Sequence, residues 1–288
     1  MELKKDLKVI EVFSIATGAM ISSGIFILPG IAFAKTGPSL FLSYLFAGIL
    51  ALTGAFSIAE LSSAMPKAGG DYFFITRSLG PVFGTVSGLL SWFALSLKTV
   101  FAIIGISEIL HIFWGWNLLL SAFLLTTGFL IINILGVKES GKFKVAIVVL
   151  LLGIVLFYLF RGLPEVEIIK FQDFAPEGVN SIFMTAGFIF VAYGGLLKIA
   201  SIAEEVDSPK KTIPLGMFSS LFVVTILYTL ITIIVVGTVV PETLRNSMTP
   251  IADSAGVFLG KPGIILLTIA ALLAFISTGN AGILAASR

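Results

Sequence analysis

The sequence predicts an all-α membrane protein, a bundle of about eight helical spans, and three observations predict it. The 288 residues are 57% hydrophobic and only 12% charged, with a mean hydropathy of +1.10, whereas soluble domains carry roughly 25% charged residues. Charge-free stretches near the ~20 residues that cross the hydrocarbon of a bilayer recur along the chain. Runs such as 147–160, IVVLLLGIVLFYLF, are apolar at odd and even positions alike, where a closed barrel needs ~10-residue segments that alternate. This composition excludes an ordinary water-soluble enzyme and a disordered chain. With no cysteine there is no disulfide scaffold. A net charge of +2 without a long basic run gives no reason to expect nucleic acid as a partner.

The first span, 9–34, follows Lys4, Lys5 and Lys8 and ends in Ala32-Phe33-Ala34, the outline of a secretory signal. No charge falls between Glu11 and Lys35, however, and a signal core is normally only ~7–15 residues, so this is read as a span. The second, 39–65, ends at the turn-forming PKAGGDY (66–72), and the amphipathic DYFFITRSLG that follows suits a gating or interfacial loop. The third, 80–110, is interrupted by Lys98. The fourth and fifth, 117–136 and 143–162, are unbroken. EVEIIKFQDFAPEG (165–178) is an external loop before the sixth span, 179–203, which is interrupted by Lys198. The charged EEVDSPKKTIP (204–214) is solvated. The seventh span is 213–240, TPIADSAGVFLG (249–260) is expected to form a short external lid helix, and the eighth is 262–286.

Basic residues in short loops set topology. With the amino terminus inside, Lys4, Lys5, Lys8, Lys67, Arg77, Lys138, Lys142, Lys144, Lys210, Lys211 and Arg288 are cytoplasmic. Lys35, Arg161, Lys170, Arg245 and Lys261 lie opposite, and Lys98 and Lys198 are inside the membrane. Eleven against five favours a cytoplasmic amino terminus.

Two spans look interrupted. The first reads ATGAMISSGIFILPG, with Gly18, Ser22, Ser23, Gly24, Pro29 and Gly30. The sixth reads GFIFVAYGGLLKIAS, with Gly194-Gly195 at its middle. Singly, such small residues often only permit close helix packing. As a pair five spans apart they predict two broken helices of opposed direction, the arrangement of inverted-repeat transporters. A break leaves N–H and carbonyl groups unpaired in lipid unless something polar fills the gap. A half-helix amino terminus suits an anion and a carboxyl end suits a cation, so a zwitterionic amino acid satisfies both without a charged side chain.

GAMISSGIFILPG (18–30), Ala59-Glu60-Leu61 followed by Pro66-Lys67-Ala68-Gly69-Gly70-Asp71-Tyr72, Ala203-Glu204-Glu205 followed by Asp207-Ser208-Pro209 and Ile213-Pro214, and the closing NAGILAASR (280–288) together resemble the amino acid–polyamine–organocation permease superfamily. PKAGGDY is the most specific signal, and the resemblance covers essentially the whole chain. It implies a single transmembrane domain, 1–288, of the five-plus-five inverted-repeat fold, with a first repeat over about 9–162 and an incomplete second over about 179–288. It implies secondary active transport of amino acids or related amines across the cytoplasmic membrane by alternating access, with no cofactor. In that likeness Ser23 and Gly24, beside Ser22, donate backbone N–H groups to the substrate carboxylate. The carbonyls of Met20, Val191 and Gly194 receive the ammonium group, and Ala192 and Tyr193 complete the unwound stretch of span six. Spans three and eight point to Trp92, Phe93, Ser96 and Asn280 for the side-chain pocket, and 24–26 with 188–190 to an aromatic gate. Relatives have up to twelve spans, whereas this sequence stops at Arg288, after the eighth; the expectation is a portion of a longer permease or a degenerate product.

A lysine at mid-membrane costs roughly 2.5–3.5 kcal/mol and is a functional hypothesis by default. Lys198, three residues beyond Gly195, and Lys98, near the centre of span three, are therefore candidates for proton coupling, set against snorkelling or pairing with Glu60 or Glu108. The lysine that some proton-coupled relatives carry in span five is absent, since that region is aliphatic around Leu151. The rival is a sodium site where the Ser277 and Thr278 hydroxyls meet carbonyls near Met20. His111 is the only histidine, which excludes His-based metal clusters and triads; no Asp lies inside a span, and no GxxxxGK[ST] loop is present. A cation or polyamine carrier on the same fold, and a nontransporting sensor or scaffold, are the alternatives.

Overall fold

The eight predicted stretches are helical in the computed structural model, which describes residues 7–67, 69–135 and 141–286. Lys4, Lys5, Ala68, Lys138 and Arg288 fall outside the described residues, as do the side chains of Lys142 and Lys144. Among the described residues the extended structure is a single bridge between Leu7 and Val206, so the molecule is an all-α membrane protein. Among the described residues, six continuous helical runs are long and apolar enough to cross a bilayer. The two shorter pieces are Val9–Met20, which belongs to an interrupted first span, and Leu118–Ile134.

Span one is built from Val9–Met20, Ser23–Phe26 and Leu28–Thr36. Its start is held by Glu11, whose carboxylate accepts the Lys8 N–H at 3.0 Å, in the manner of a capping box. A corner at Gly37–Ser39 leads into span two, Leu40–Ala64. The turn expected at PKAGGDY is made by Gly69 (φ 116°) and Gly70 (φ 55°), a backbone region open to glycine without penalty. The amphipathic segment after it is a helix, Gly70–Leu79, laid against span three, Pro81–Trp114. Span four, Leu118–Ile134, is capped by Asn117, whose side chain accepts the Leu120 N–H at 3.1 Å. Span five is Gly141–Gly162.

Span seven starts at Pro209, ahead of the apolar window at 213, and runs to Thr238. Lys210 and Lys211 end the apolar run, but they do not end the helix, because Pro209 at its first turn loses no hydrogen bond. The short helix expected over 249–260 forms as the first part of Pro250–Ala286, separated from span eight by Gly260 (φ 63°).

Span seven packs against spans one and two, and span eight against span three. Glycines set these contacts: a Cβ at Gly48 would fall 2.4 Å from Thr225, and one at Gly216 would fall 2.5 Å from Val12. In lipid, where burial gives little drive for helices to associate, such close backbone approach supplies the packing. Val224, Tyr228, Ile231 and Val235 of span seven are buried at the centre, directly behind the interruption of span one.

Candidate substrate site at the interruption of span one

Span one leaves the helix at Ile21 (φ −70°, ψ 94°) and Ser22 (φ −158°, ψ −143°). The cause is local. A β-branched residue is followed by two serines, whose hydroxyls offer the backbone non-helical alternatives, and then by a glycine. One turn forms at Ser23–Phe26, and Pro29 sits in the first turn of the next helix, where its missing N–H is no loss.

An interruption orphans carbonyls on one side and amides on the other, and here the two halves are treated differently. The Ala19 carbonyl accepts from Lys98 Nζ of span three at 2.5 Å. The Met20 carbonyl accepts from the Tyr228 hydroxyl of span seven at 2.6 Å, and the Gly24 carbonyl from the Tyr44 hydroxyl of span two at 2.7 Å. The N–H groups of Ser22, Ser23 and Gly24 make no hydrogen bond to the described residues. The Ser22 hydroxyl is also buried without a partner. Three acceptors of the site, the Ala19, Met20 and Gly24 carbonyls, are thus held by side chains, whereas its three amide donors have no partner among the described residues.

Tyr44, Tyr193 and Tyr228 form one buried cluster around this point. The Tyr193 hydroxyl donates to the Tyr44 carbonyl at 2.9 Å. The Tyr228 ring meets Tyr44 and Tyr193 edge-to-face at 5.6 and 5.4 Å between centroids, a favoured aromatic geometry.

Span six lies directly on the interruption. A Cβ at Gly195 would fall 2.6 Å from the Ala19 carbonyl carbon and 2.7 Å from Met20 N, and one at Gly24 would fall 2.5 Å from Ala192 Cβ. The two small-residue segments are therefore brought into backbone contact. Span six differs from the expected unwound stretch, however. It runs as Val179–Ile189, a tightened 3₁₀ segment Phe190–Leu196, and Leu197–Ile202. In a 3₁₀ segment carbonyls are bonded three residues on, and the Gly194 carbonyl is taken by the Leu197 N–H. That carbonyl is therefore already engaged once, as is the Met20 carbonyl by the Tyr228 hydroxyl.

Of the other expected site residues, Ala192 and Tyr193 are buried at the contact, while Val191 is 48% exposed. Trp92 and Phe93 are exposed on span three, and the Ser96 hydroxyl bonds back to the Trp92 carbonyl. Asn280 accepts from Asn133 of span four at 2.8 Å. Phe26 of the expected aromatic gate meets Phe275 of span eight edge-to-face at 6.0 Å, and Phe188 lies under the Lys35 ammonium. Lys198 is half-buried on the segment after the 3₁₀ turn. Ser277 is half-buried, and Thr278 is buried with its hydroxyl unpartnered.

Tyr44, Tyr228 and the reach of Lys98 to span one are what sequence reasoning missed. A signal existed. Tyrosine is scarce here, five in all, and a tyrosine in a charge-free span needs a partner for its hydroxyl.

A family model described as amino acid permease matches residues 7–288. The chain is 27% identical to a methylthioribose transporter of Bacillus subtilis over 94% of its own length and 63% of the relative's. It is 29% identical to the branched-chain amino acid permease BcaP of the same organism, covering 88% of this chain and 57% of that one. It is 28% identical to cationic amino acid transporter 1 of Arabidopsis thaliana, covering 81% and 42%. The chain thus spans between 42% and 63% of the length of these relatives.

Proposed function

The chain belongs to the amino acid permease family, and from that premise we propose that it carries amino acids across the cytoplasmic membrane by alternating access, its amino terminus in the cytoplasm. The observation that carries the reading is the trio of buried N–H groups at Ser22, Ser23 and Gly24 with no acceptor. Buried donors without partners are rare and costly, and a carboxylate entering the gap takes all three with charge-assisted bonds. The ammonium end of the substrate meets a carbonyl side already held by Tyr228 and Lys98. It binds there by replacing the Tyr228 hydroxyl at the Met20 carbonyl. The relatives' names include branched-chain and cationic amino acids, which share these two groups and differ in side chain, as a common backbone cradle with a variable side-chain pocket requires.

Transport is coupled to protons through Lys98. Its ammonium group sits at a carbonyl freed by the interruption, so the bond ties its charge state to the conformation of span one. Lys198 is the weaker of the two candidates, because it lies beyond the 3₁₀ turn. Sodium held by Ser277 and Thr278 is the competing coupling.

The test is uptake of labelled amino acids by this chain in proteoliposomes, with sodium removed and an inward pH gradient imposed. Uptake should persist without sodium and fall at least tenfold in Lys98→Met, with Lys198→Met the milder variant. Strict sodium dependence with an unaffected Lys98→Met removes the proton reading. Substrate-stabilised melting without any flux removes transport in favour of a sensor.

A further inference from the structure

The helix Gly70–Leu79 carries a carboxylate that the transport reading leaves unused. Asp71, in its first turn, accepts hydrogen bonds from two hydroxyls of span three, Ser87 Oγ at 3.2 Å and Ser91 Oγ. Ser87, Ser91 and Lys98 follow one another at intervals of four and seven, which places them within about 40° of one another on one helix face. Helical side chains lean toward the amino-terminal end, so Lys98 reaches back toward Ser91, about 10 Å away along the axis at ~1.5 Å per residue. Ala94, the residue of this face between them, is small and exposed, which leaves room for water.

We propose that Asp71 is the proton acceptor that unloads Lys98 on the side of the chain's amino terminus, through Ser91, Ser87 and intervening water; this rests on the coupling reading above. In the transfer an N–H bond of the Lys98 ammonium breaks and its electron pair stays on Nζ. Each water or hydroxyl in line accepts one proton and passes one on, and an O–H bond forms on the Asp71 carboxylate. The neutral amine, a weaker donor, then holds the Ala19 carbonyl less tightly. The helix bearing Asp71 also packs on Leu197–Ile202 and on Leu40–Ala64, which bring Lys198, Glu60 and the Tyr44 phenol as their ionisable groups. Its own turns carry Tyr72 and Arg77, and span three carries Glu108 and His111 toward its far end. The helices packed on span three around Lys98 hold no carboxylate inside the membrane, Asp253 being at the outer start of Pro250–Ala286. Asp71 is thus the carboxylate joined to this face of span three.

The experiment compares two fluxes of this chain in proteoliposomes: net uptake driven by a pH gradient, and exchange of amino acid for amino acid at symmetrical pH, which needs no proton release. Asp71→Asn should lower driven uptake at least tenfold and leave exchange within twofold. Ser91→Ala should lower driven uptake several-fold, and Asp71→Glu should restore it. Equal losses in both fluxes make Asp71 a staple between the short helix and span three and overturn the proposal, as does full driven uptake in Asp71→Asn. Lys98→Met separates the two levels. If Lys98→Met abolishes driven uptake while Asp71→Asn does not, only the exit role falls; if Lys98→Met leaves it intact, the coupling reading falls first.

Discussion

Gly194 and Gly195 are neighbours of identical chemistry, and the structure predicts opposite outcomes when each becomes alanine. At Gly195 the new methyl would lie 2.6 to 2.8 Å from Ala19 C, Met20 N and Ala19 O, all backbone atoms. Ordinary contact is 3.4–4 Å, so span six must retreat from span one by about 1 Å or the Ala19–Met20 backbone must bend. Overpacking of this kind costs about 1–3 kcal/mol, a factor of about 5–150 in the population of the packed form at 1.4 kcal/mol per tenfold. At Gly194 nothing lies within 4 Å and φ is ordinary, so a methyl costs nothing sterically and reduces the freedom of the unfolded chain. Uptake in proteoliposomes and thermal melting in detergent read both effects. Gly195→Ala should lose about tenfold or more in uptake and melt earlier, while Gly194→Ala should match the parent in both. Equal losses at the two positions, or a fully active Gly195→Ala, would refute the claim that spans one and six must meet backbone to backbone.

Three further outcomes follow from individual contacts. Tyr228→Phe removes the donor to the Met20 carbonyl and should destabilise the substrate-free protein by about 1–3 kcal/mol; since the ammonium group no longer competes with a hydroxyl, the melting shift on adding substrate should grow. Gly30→Ala would put a methyl 2.1 Å from the Ser247 carbonyl, holding Leu28–Thr36 away from Pro241–Asn246. Because the chain has no cysteine, a Thr268→Cys reporter beside Phe26 and Phe275 is unambiguous, and it should be labelled faster from the side of Pro241–Asn246 in the Gly30→Ala background. Asn133→Leu breaks the bond to Asn280 and should lower the melting temperature while leaving substrate affinity unchanged; a large affinity loss would return Asn280 to the side-chain pocket.

The spans and the interruption of the first were legible because both are written locally. Charge-free length fixes the one, and Ile21-Ser22-Ser23-Gly24 before Pro29 fixes the other. The state of span six was not. Gly194-Gly195 marks a place where something comes close, and glycine alone does not say whether the backbone unwinds or tightens. The partner decides, since Gly195 needs room for the Ala19–Met20 backbone and a 3₁₀ segment provides it. Tyr44 and Tyr228 were invisible for a different reason: their acceptors lie 20 and 208 residues away, and in an aliphatic span each reads as one more packed aromatic. Lys98 was flagged by its charge alone, and its acceptor on span one emerges only from the packing.

The asymmetry of the site makes a claim about ligand chemistry that separates an amino acid carrier from an amine carrier. On its carbonyl side Ala19 and Met20 are already held by Lys98 and Tyr228, so an ammonium group entering at either exchanges one hydrogen bond for another and gains little net. Its amide side has three donors with no acceptor among the described residues, so a carboxylate gains bonds the empty site lacks, and charge-assisted ones at that. Each such bond contributes about 1.5–3 kcal/mol. Removing the carboxylate from a substrate should then cost at least two orders of magnitude in affinity, whereas removing the ammonium group should cost about tenfold or less. Competition against a transported amino acid by its decarboxylated amine and by its deaminated acid, at equal side chain, measures the two directly. A decarboxylated amine that competes as well as the parent would mean that the free amides at Ser22, Ser23 and Gly24 are not what holds the substrate.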